Sequence, residues 1–132
     1  MTVLLATPAT AAAQSPNPPV IHEVFTPLPC SRNPQTTLAL EGCGEQAILS
    51  SDRAINAKVK AIFGVLRAPA ARRAFVTGER AWLRYRNSSC TAEASVYAGG
   101  TEQPVLYANC LASRNRTHLR DLAGLKATVS RR

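Results

Sequence analysis

Four cysteines, Cys30, Cys43, Cys90 and Cys110, constrain the fold of this chain more than any other feature. An even number of cysteines in a short exported chain is typical of a disulfide framework. Zinc sites instead use closely spaced pairs such as C-x₂-C, together with histidines at ligand spacing. Here 12, 46 and 19 residues separate successive cysteines. We therefore expect two disulfides and no metal site.

The N-terminus supports export. Ala11-Ala12-Ala13 before Gln14 has the small-residue pattern of a signal-peptidase site. The apolar stretch upstream, Val3-Leu4-Leu5-Ala6, is short, and no Lys or Arg precedes it. We interpret residues 1–13 as a truncated bacterial export signal, which places the mature protein in the periplasm or outside the cell; the alternative is that they are only a low-complexity tail. No apolar run approaches the roughly 20 residues needed to cross a bilayer, so we predict no transmembrane segment.

Two further segments follow the leader. Residues 14–29 contain five prolines, a density that prevents helix and favours an extended linker. The folded domain is predicted over residues 30–129. At its start, Thr36 or Thr37 can cap a short helix that ends near Cys43, where the flanking glycines act as stop signals.

Three longer helices are predicted from apolar residues at helical spacing. The first ends before Pro69, the second runs from about Ala70 to Cys90, and the third has Pro104 in its first turn. Gly78 in the second helix predicts a close helix approach or a slight kink. The apolar positions are Ile48, Ile55, Val59, Ile62 and Leu66, then Phe75, Trp82 and Leu83, then Leu111, Leu122, Leu125 and Val129.

The predicted fold class is all-α, a small bundle of three main helices plus a short N-terminal helix, stapled by two disulfides. On this layout Cys90 and Cys110 flank the loop Ala98-Gly99-Gly100-Thr101. Four cysteines allow three connectivities, and the layout favours local pairing of Cys30 with Cys43 and of Cys90 with Cys110. Asp52 and Asn56 are expected one turn apart on the polar flank of the first long helix.

No motif for catalysis is present. The chain lacks a G-x-S-x-G elbow, an H-E-x-x-H sequence and a Walker-type phosphate loop. We predict no catalytic residue and no cofactor. The strip from Gly78 to Cys90 mixes arginines with Trp82 and Tyr85, as single-strand nucleic-acid channels do. Helical spacing nevertheless puts Trp82 beside Phe75 on the apolar stripe, so we expect core packing and no nucleic-acid partner.

The charge balance favours anionic neighbours. The chain carries 16 Lys and Arg against 8 Asp and Glu, a net charge of +8. Such a surplus suits cell-wall polymers, lipid headgroups or an acidic protein face without choosing among them. The basic residues are also dispersed, with only two adjacent pairs, Arg72-Arg73 and Arg131-Arg132.

The ordered set of motifs resembles the LprI-type lysozyme-inhibitor domain of bacterial exported proteins, over about Cys30 to Leu122. Two departures from that pattern are Asn87, where the family usually has Asp, and Ile55, where it usually has Leu. The matching elements are Cys30 and Cys43; Asp52 and Asn56; Ala81-Trp82-Leu83 with Tyr85, Arg86 and Cys90; Gly99-Gly100-Thr101; Cys110-Leu111; and Arg116-Thr117 with Leu119.

The resemblance implies a helical, disulfide-bonded binding domain whose partner is lysozyme or another cell-wall-active protein. The motif residues are expected to be structural, with Asp52 and Arg86 forming a polar clasp between helices. Glu93 and Glu102 are the candidate target contacts, because a basic inhibitor needs a local acidic or apolar patch to approach basic lysozymes. The alternative function is a basic envelope module that binds anionic cell-wall polymer or lipid without inhibition. A cell-wall-degrading enzyme is the third hypothesis.

Overall fold

The computed structural model describes residues 15–132, which form three long helices and no strand. These are α1 (Thr37–Val65), α2 (Pro69–Ser95) and α3 (Gln103–Val129). Disulfides join Cys30 to Cys43 and Cys90 to Cys110. The all-α class and both local pairings are thereby confirmed. The expected export signal, residues 1–13, lies outside the described residues.

The predicted short N-terminal helix is not a separate element. Thr36 caps α1 by accepting a 3.1 Å hydrogen bond from the Ala39 N–H, and the helix then continues through both glycines to Val65. A Cβ on Gly42 would lie 2.5 Å from the Pro29 carbonyl oxygen, and one on Gly44 would lie 2.8 Å from the Ala108 Cβ. The glycines therefore permit close approach of the arm and of α3 within an unbroken helix.

The second helix is longer than predicted. It begins with Pro69 in its first turn and passes Cys90 to end at Ser95, so Glu93 lies on a helix and not in a loop. Gly78 does not mark a close approach within residues 15–132, because a Cβ there would meet none of their atoms within 4 Å. Pro104 occupies the first turn of α3 as predicted.

The core consists of two apolar clusters stacked along the bundle. We call the end that carries the α2–α3 turn the tip and the opposite end the base. The tip cluster contains Ile48, Cys90, Ala108, Cys110, Leu111 and Ala112. The base cluster contains Ile21, Ile55, Val59, Ile62 and Leu122. Since α1 and α3 enter both clusters in the same chain order, they run parallel, with α2 antiparallel to both.

The proline-rich segment packs against the helices. Residues 15–36, which we call the arm, contain no helix. Asn56 fixes the arm by accepting a 2.8 Å bond from the Ile21 N–H and donating a 2.9 Å bond to the Ile21 carbonyl. Glu45 accepts from the Leu28 N–H at 2.8 Å. The described part of the expected linker is thus extended but held on the bundle.

Candidate functional site

A buried arginine organises the polar layer between the two apolar clusters. Arg86 donates from Nη1 to Asp52 Oδ1 at 2.8 Å and to Asn115 Oδ1 at 3.1 Å. Its Nη2 donates to Glu23 Oε1 at 2.6 Å, and its Nε donates to Asn87 Oδ1 at 3.0 Å. The guanidinium therefore ties together the arm and all three helices. The expected contact between Asp52 and Arg86 is present, and the Asn87 amide oxygen accepts a further hydrogen bond from Arg86.

Asp52 faces the interior, so its predicted place on a polar flank is wrong. Its side chain is buried, and its Oδ1 also accepts a 2.8 Å bond from Asn115 Nδ2. Burial raises the pKa of Asp52, an effect that Arg86 and the Asn115 hydrogen bond oppose in part. Asp52 Oδ2 is buried and accepts no hydrogen bond from the described part of the chain. Asp52 Oδ1 thus accepts two hydrogen bonds, whereas Oδ2 is removed from solvent and accepts none from the described residues.

A second buried polar pair lies toward the base. His118 Nε2 is 2.9 Å from Glu79 Oε2, and both side chains are buried. The Trp82 ring stacks on the His118 ring, with centroids 3.7 Å apart and planes 9° from parallel. Trp82 is half-buried and packs against the base cluster together with Phe75, in agreement with the expected core packing. The strip that contains Trp82 is therefore part of the scaffold.

Sequence reasoning missed several members of these networks. Glu23 was assigned to a linker, and Asn115 and the pair of Glu79 with His118 carried no motif. Helical spacing is the sequence signal that could have found some of them. Glu79, Trp82 and Arg86 follow each other at spacings of three and four on the inward face of α2. That spacing predicts three inward side chains but does not identify their partners.

Tyr85 and Arg116, two of the predicted motif residues, lie outside the polar layer. Tyr85 is exposed on α2, with the Arg114 Cζ 5.5 Å from the centroid of its ring. Arg116 is exposed on α3, whereas its neighbour Asn115 is completely buried. Of these two neighbours, Asn115 enters the polar layer, whereas the motif residue Arg116 does not.

The tip is a hydrogen-bonded turn between α2 and α3. The Tyr97 N–H donates to the Ala94 carbonyl at 3.0 Å, and the Gly100 N–H donates to the Tyr97 carbonyl at 3.0 Å. Gly99 has a φ of +83°, a conformation that side chains rarely adopt. The disulfide between Cys90 and Cys110 closes the turn from below. The turn is therefore held by backbone hydrogen bonds, and the role of Gly99 and Gly100 is to allow its backbone conformation.

The same turn presents apolar and acidic side chains to solvent. Val96 is 79% exposed and Tyr97 is 50% exposed. Both predicted contact residues are exposed beside them, Glu93 in the last turn of α2 and Glu102 at the N-cap of α3. The structure thus places the two acids on either side of an exposed Val-Tyr pair.

Charge is separated along the bundle. The tip half, defined as residues 28–51 and 87–113, contains one basic residue, Arg32, and four acids, Glu41, Glu45, Glu93 and Glu102. Every other Lys and Arg of the chain lies outside the tip half. Arg86 is in the polar layer, and the others lie beside this layer or toward the base. The charges look dispersed along the sequence, but in the fold the base half is positively charged and the tip half is negatively charged.

These features define a class, the small disulfide-bonded helical domain with a rigid exposed turn. A family model described as "Lysozyme inhibitor LprI" matches residues 30–122. The chain therefore belongs to the LprI family, and the resemblance over Cys30 to Leu122 is confirmed. Comparison with the curated proteins and with the solved structures found no match. Disulfides and family together indicate an exported protein. No helix in residues 15–132 is long and apolar enough to cross a membrane.

Proposed function

We propose that this protein inhibits lysozyme by inserting its tip into the substrate cleft, and that it acts in the periplasm or outside the cell. Membership of the LprI family is the observation that carries the proposal. The tip supplies the contact surface, with Val96 and Tyr97 as apolar anchors flanked by Glu93 and Glu102. On this proposal the chain works by binding and has no catalytic step of its own.

The charge separation supports this orientation. A uniformly basic surface would repel a basic lysozyme at long range, and a net charge of +8 predicts such repulsion. The acids of the tip half reverse the local sign at the end of the bundle farthest from most of the arginines. A basic partner would therefore be steered to the tip and away from the base.

Rigidity supports the same surface. The disulfide between Cys90 and Cys110 and the hydrogen bonds of the turn restrain the backbone of Tyr97 before binding. Preorganisation lowers the entropy that a binding loop loses on association. An exposed tyrosine held in this way is the type of residue that dominates binding energy in many interfaces.

The first experiment measures lysis of bacterial cells by a basic lysozyme in the presence of the purified, oxidised protein. We expect protection at micromolar concentration. Glu102→Lys should weaken inhibition by about tenfold or more, because it places a cation against a basic partner. The matched control is Asp121→Lys, which makes the same charge change at an exposed position in the base half of α3.

Two outcomes would contradict the proposal at different levels. Absence of protection by the wild-type protein would reject lysozyme inhibition for this chain. Equal weakening by Glu102→Lys and Asp121→Lys would retain inhibition but reject the tip as its surface. Tyr97→Ala gives an independent check that does not alter charge, and it should weaken inhibition by about tenfold or more if Tyr97 is an anchor.

The second candidate function is binding of an anionic envelope polymer by the base. Concentration of nearly all basic residues away from the tip favours it, because several like charges on one region attract polyanions. Such binding should weaken steeply with salt, whereas a packed inhibitory interface should persist. Salt dependence therefore separates the two functions in the same preparation.

A further inference from the structure

An apolar groove of about 480 Å³ lies between the arm and the second half of α1. Pro18, Pro19 and Val20 of the arm line one side, and Val59 and Phe63 of α1 line the other. This volume falls in the range of about 300–1,000 Å³ that small-molecule sites occupy. The groove is at the base and is separate from the proposed lysozyme surface.

The wall formed by the arm is held in place. The Asn56 side chain pairs with both the N–H and the carbonyl of Ile21, at 2.8 and 2.9 Å, and Ile21 is buried in the base cluster. These bonds pair the backbone N–H and carbonyl of the residue next to Val20 and so fix this wall of the groove. A ligand there would meet mainly proline, valine and phenylalanine.

One end of the groove is basic. A second depression of about 420 Å³ shares Asn17 and Phe63 with the first and is lined by Arg72 and Arg73. The Arg72 Cζ lies 3.9 Å from the centroid of the Phe63 ring, so this guanidinium stands over the apolar wall. Lys60 borders the main groove. None of the described residues that line either depression is acidic.

We propose that this groove binds a single-chain anionic amphiphile of the fatty-acid class. The acyl chain would lie between the arm and α1, in contact with Val20, Val59 and Phe63. The carboxylate would lie at the basic end, near Arg72 and Arg73. The apolar walls select the chain, and these two cations select an anionic head over a neutral or cationic one.

The experiment is equilibrium dialysis of radiolabelled dodecanoate, below its micelle-forming concentration, against the full chain. We expect saturable binding of one dodecanoate per protein molecule. Dodecanol has the same chain without the charge and should bind about tenfold more weakly or worse, because it forfeits the charge-assisted contacts. Failure of the full chain to bind dodecanoate would overturn the proposal. This holds equally if the cause is that residues 1–14 or a second copy of the chain fill the groove.

Matched variants locate the site. Val20 lines the groove with a 74%-exposed side chain, so Val20→Glu sets a carboxylate beside the acyl chain and should abolish saturable binding. Val24→Glu makes the same change at a 98%-exposed arm position outside the groove and should leave binding unchanged. Arg73→Glu should weaken dodecanoate binding about tenfold and leave dodecanol binding unchanged. Arg53→Glu, at an exposed position of α1 outside both depressions, is its control.

Comparison with the control variant and with dodecanol gives two results that would overturn the proposal. Equal loss of binding in Val20→Glu and Val24→Glu, with both proteins folded by circular dichroism, would overturn the groove as the site. An equal effect of Arg73→Glu on dodecanoate and dodecanol would overturn the role of the cations. These measurements involve no lysozyme, so their failure is distinct from failure of the proposed inhibition.

Discussion

Arg86 is the residue on which the greatest number of separate segments depend. Its guanidinium contacts Glu23 of the arm, Asp52 of α1 and Asn115 of α3. A buried ion pair adds little net stability compared with apolar packing, but removal of one partner leaves an uncompensated buried charge. Arg86 therefore matters chiefly because Asp52 is buried and Glu23 is partly buried, so both carboxylates depend on its charge.

The first prediction concerns removal of this cation. Arg86→Ala leaves Asp52 and Glu23 without their common partner, and we expect the free energy of unfolding to fall by about 3–5 kcal/mol. Arg84→Ala, at an exposed position two residues earlier on α2, should change it by less than about 0.5 kcal/mol. Urea unfolding of the oxidised proteins measures both. Similar losses in the two variants would show that Arg86 has no special structural role.

The second prediction concerns pH. Burial raises the pKa of Asp52 above its usual value of 3.8, so the folded chain holds this proton more tightly than the unfolded chain. The stability that this group contributes is therefore fully present below pH 3.8 and is lost as the pH rises through the raised pKa. The asparagine of the Asp52→Asn variant cannot titrate, so this variant lacks the pH-dependent contribution of position 52.

Wild type should consequently lose stability relative to Asp52→Asn as the pH rises from about 3 to about 7. Urea midpoints of both proteins across that range give the difference directly. A difference that moves in the opposite direction would mean that Arg86 outweighs burial at Asp52.

At the residue scale, the sequence predicted the clasp of Asp52 with Arg86 but not the partners that complete it. Helical spacing reports which side chains share a face, and it reaches only a few turns. Glu23 is 63 positions from Arg86, and His118 is 39 positions from Glu79. Such pairings depend on how the helices and the arm pack, which local patterns do not encode.

The helices were easier to predict than their ends. Apolar periodicity and Pro69 located the boundary between α1 and α2, and Pro104 located the start of α3. Gly42 and Gly44 were misread as stop signals because a glycine can end a helix or admit a close neighbour. The two roles differ only in what lies opposite the missing Cβ, and the sequence does not show it.

The third prediction uses this difference. Gly44→Ala would place a Cβ 2.8 Å from the Ala108 Cβ, and we expect a loss of about 1–3 kcal/mol as α1 and α3 are forced apart. Gly78→Ala makes the same substitution in α2, where the new Cβ would have no described neighbour within 4 Å. It should stabilise the chain by up to about 1 kcal/mol through helix propensity. Thermal unfolding measures both changes, and the same sign for both would contradict the close approach.

The molecule as a whole is a bundle with two chemically different ends. The polar layer around Arg86 separates them, and each end has its own apolar cluster. The acidic tip half contains both disulfides, and the arm packs along the bundle from Leu28 at the tip half to Ile21 at the base. Net charge alone suggested a uniformly basic protein, because a sum over the chain discards where each charge lies in the fold.

The fourth prediction tests whether position or net charge governs polyanion binding. Arg116→Glu and Arg32→Glu change the net charge equally, and both side chains are exposed, but Arg116 is in the base half and Arg32 is in the tip half. On immobilised heparin, we expect Arg116→Glu to elute at clearly lower salt than wild type, since it removes a contact and adds repulsion. Arg32→Glu should elute close to wild type. Equal shifts would show that the polyanion responds to total charge, in which case the basic end is not a binding surface.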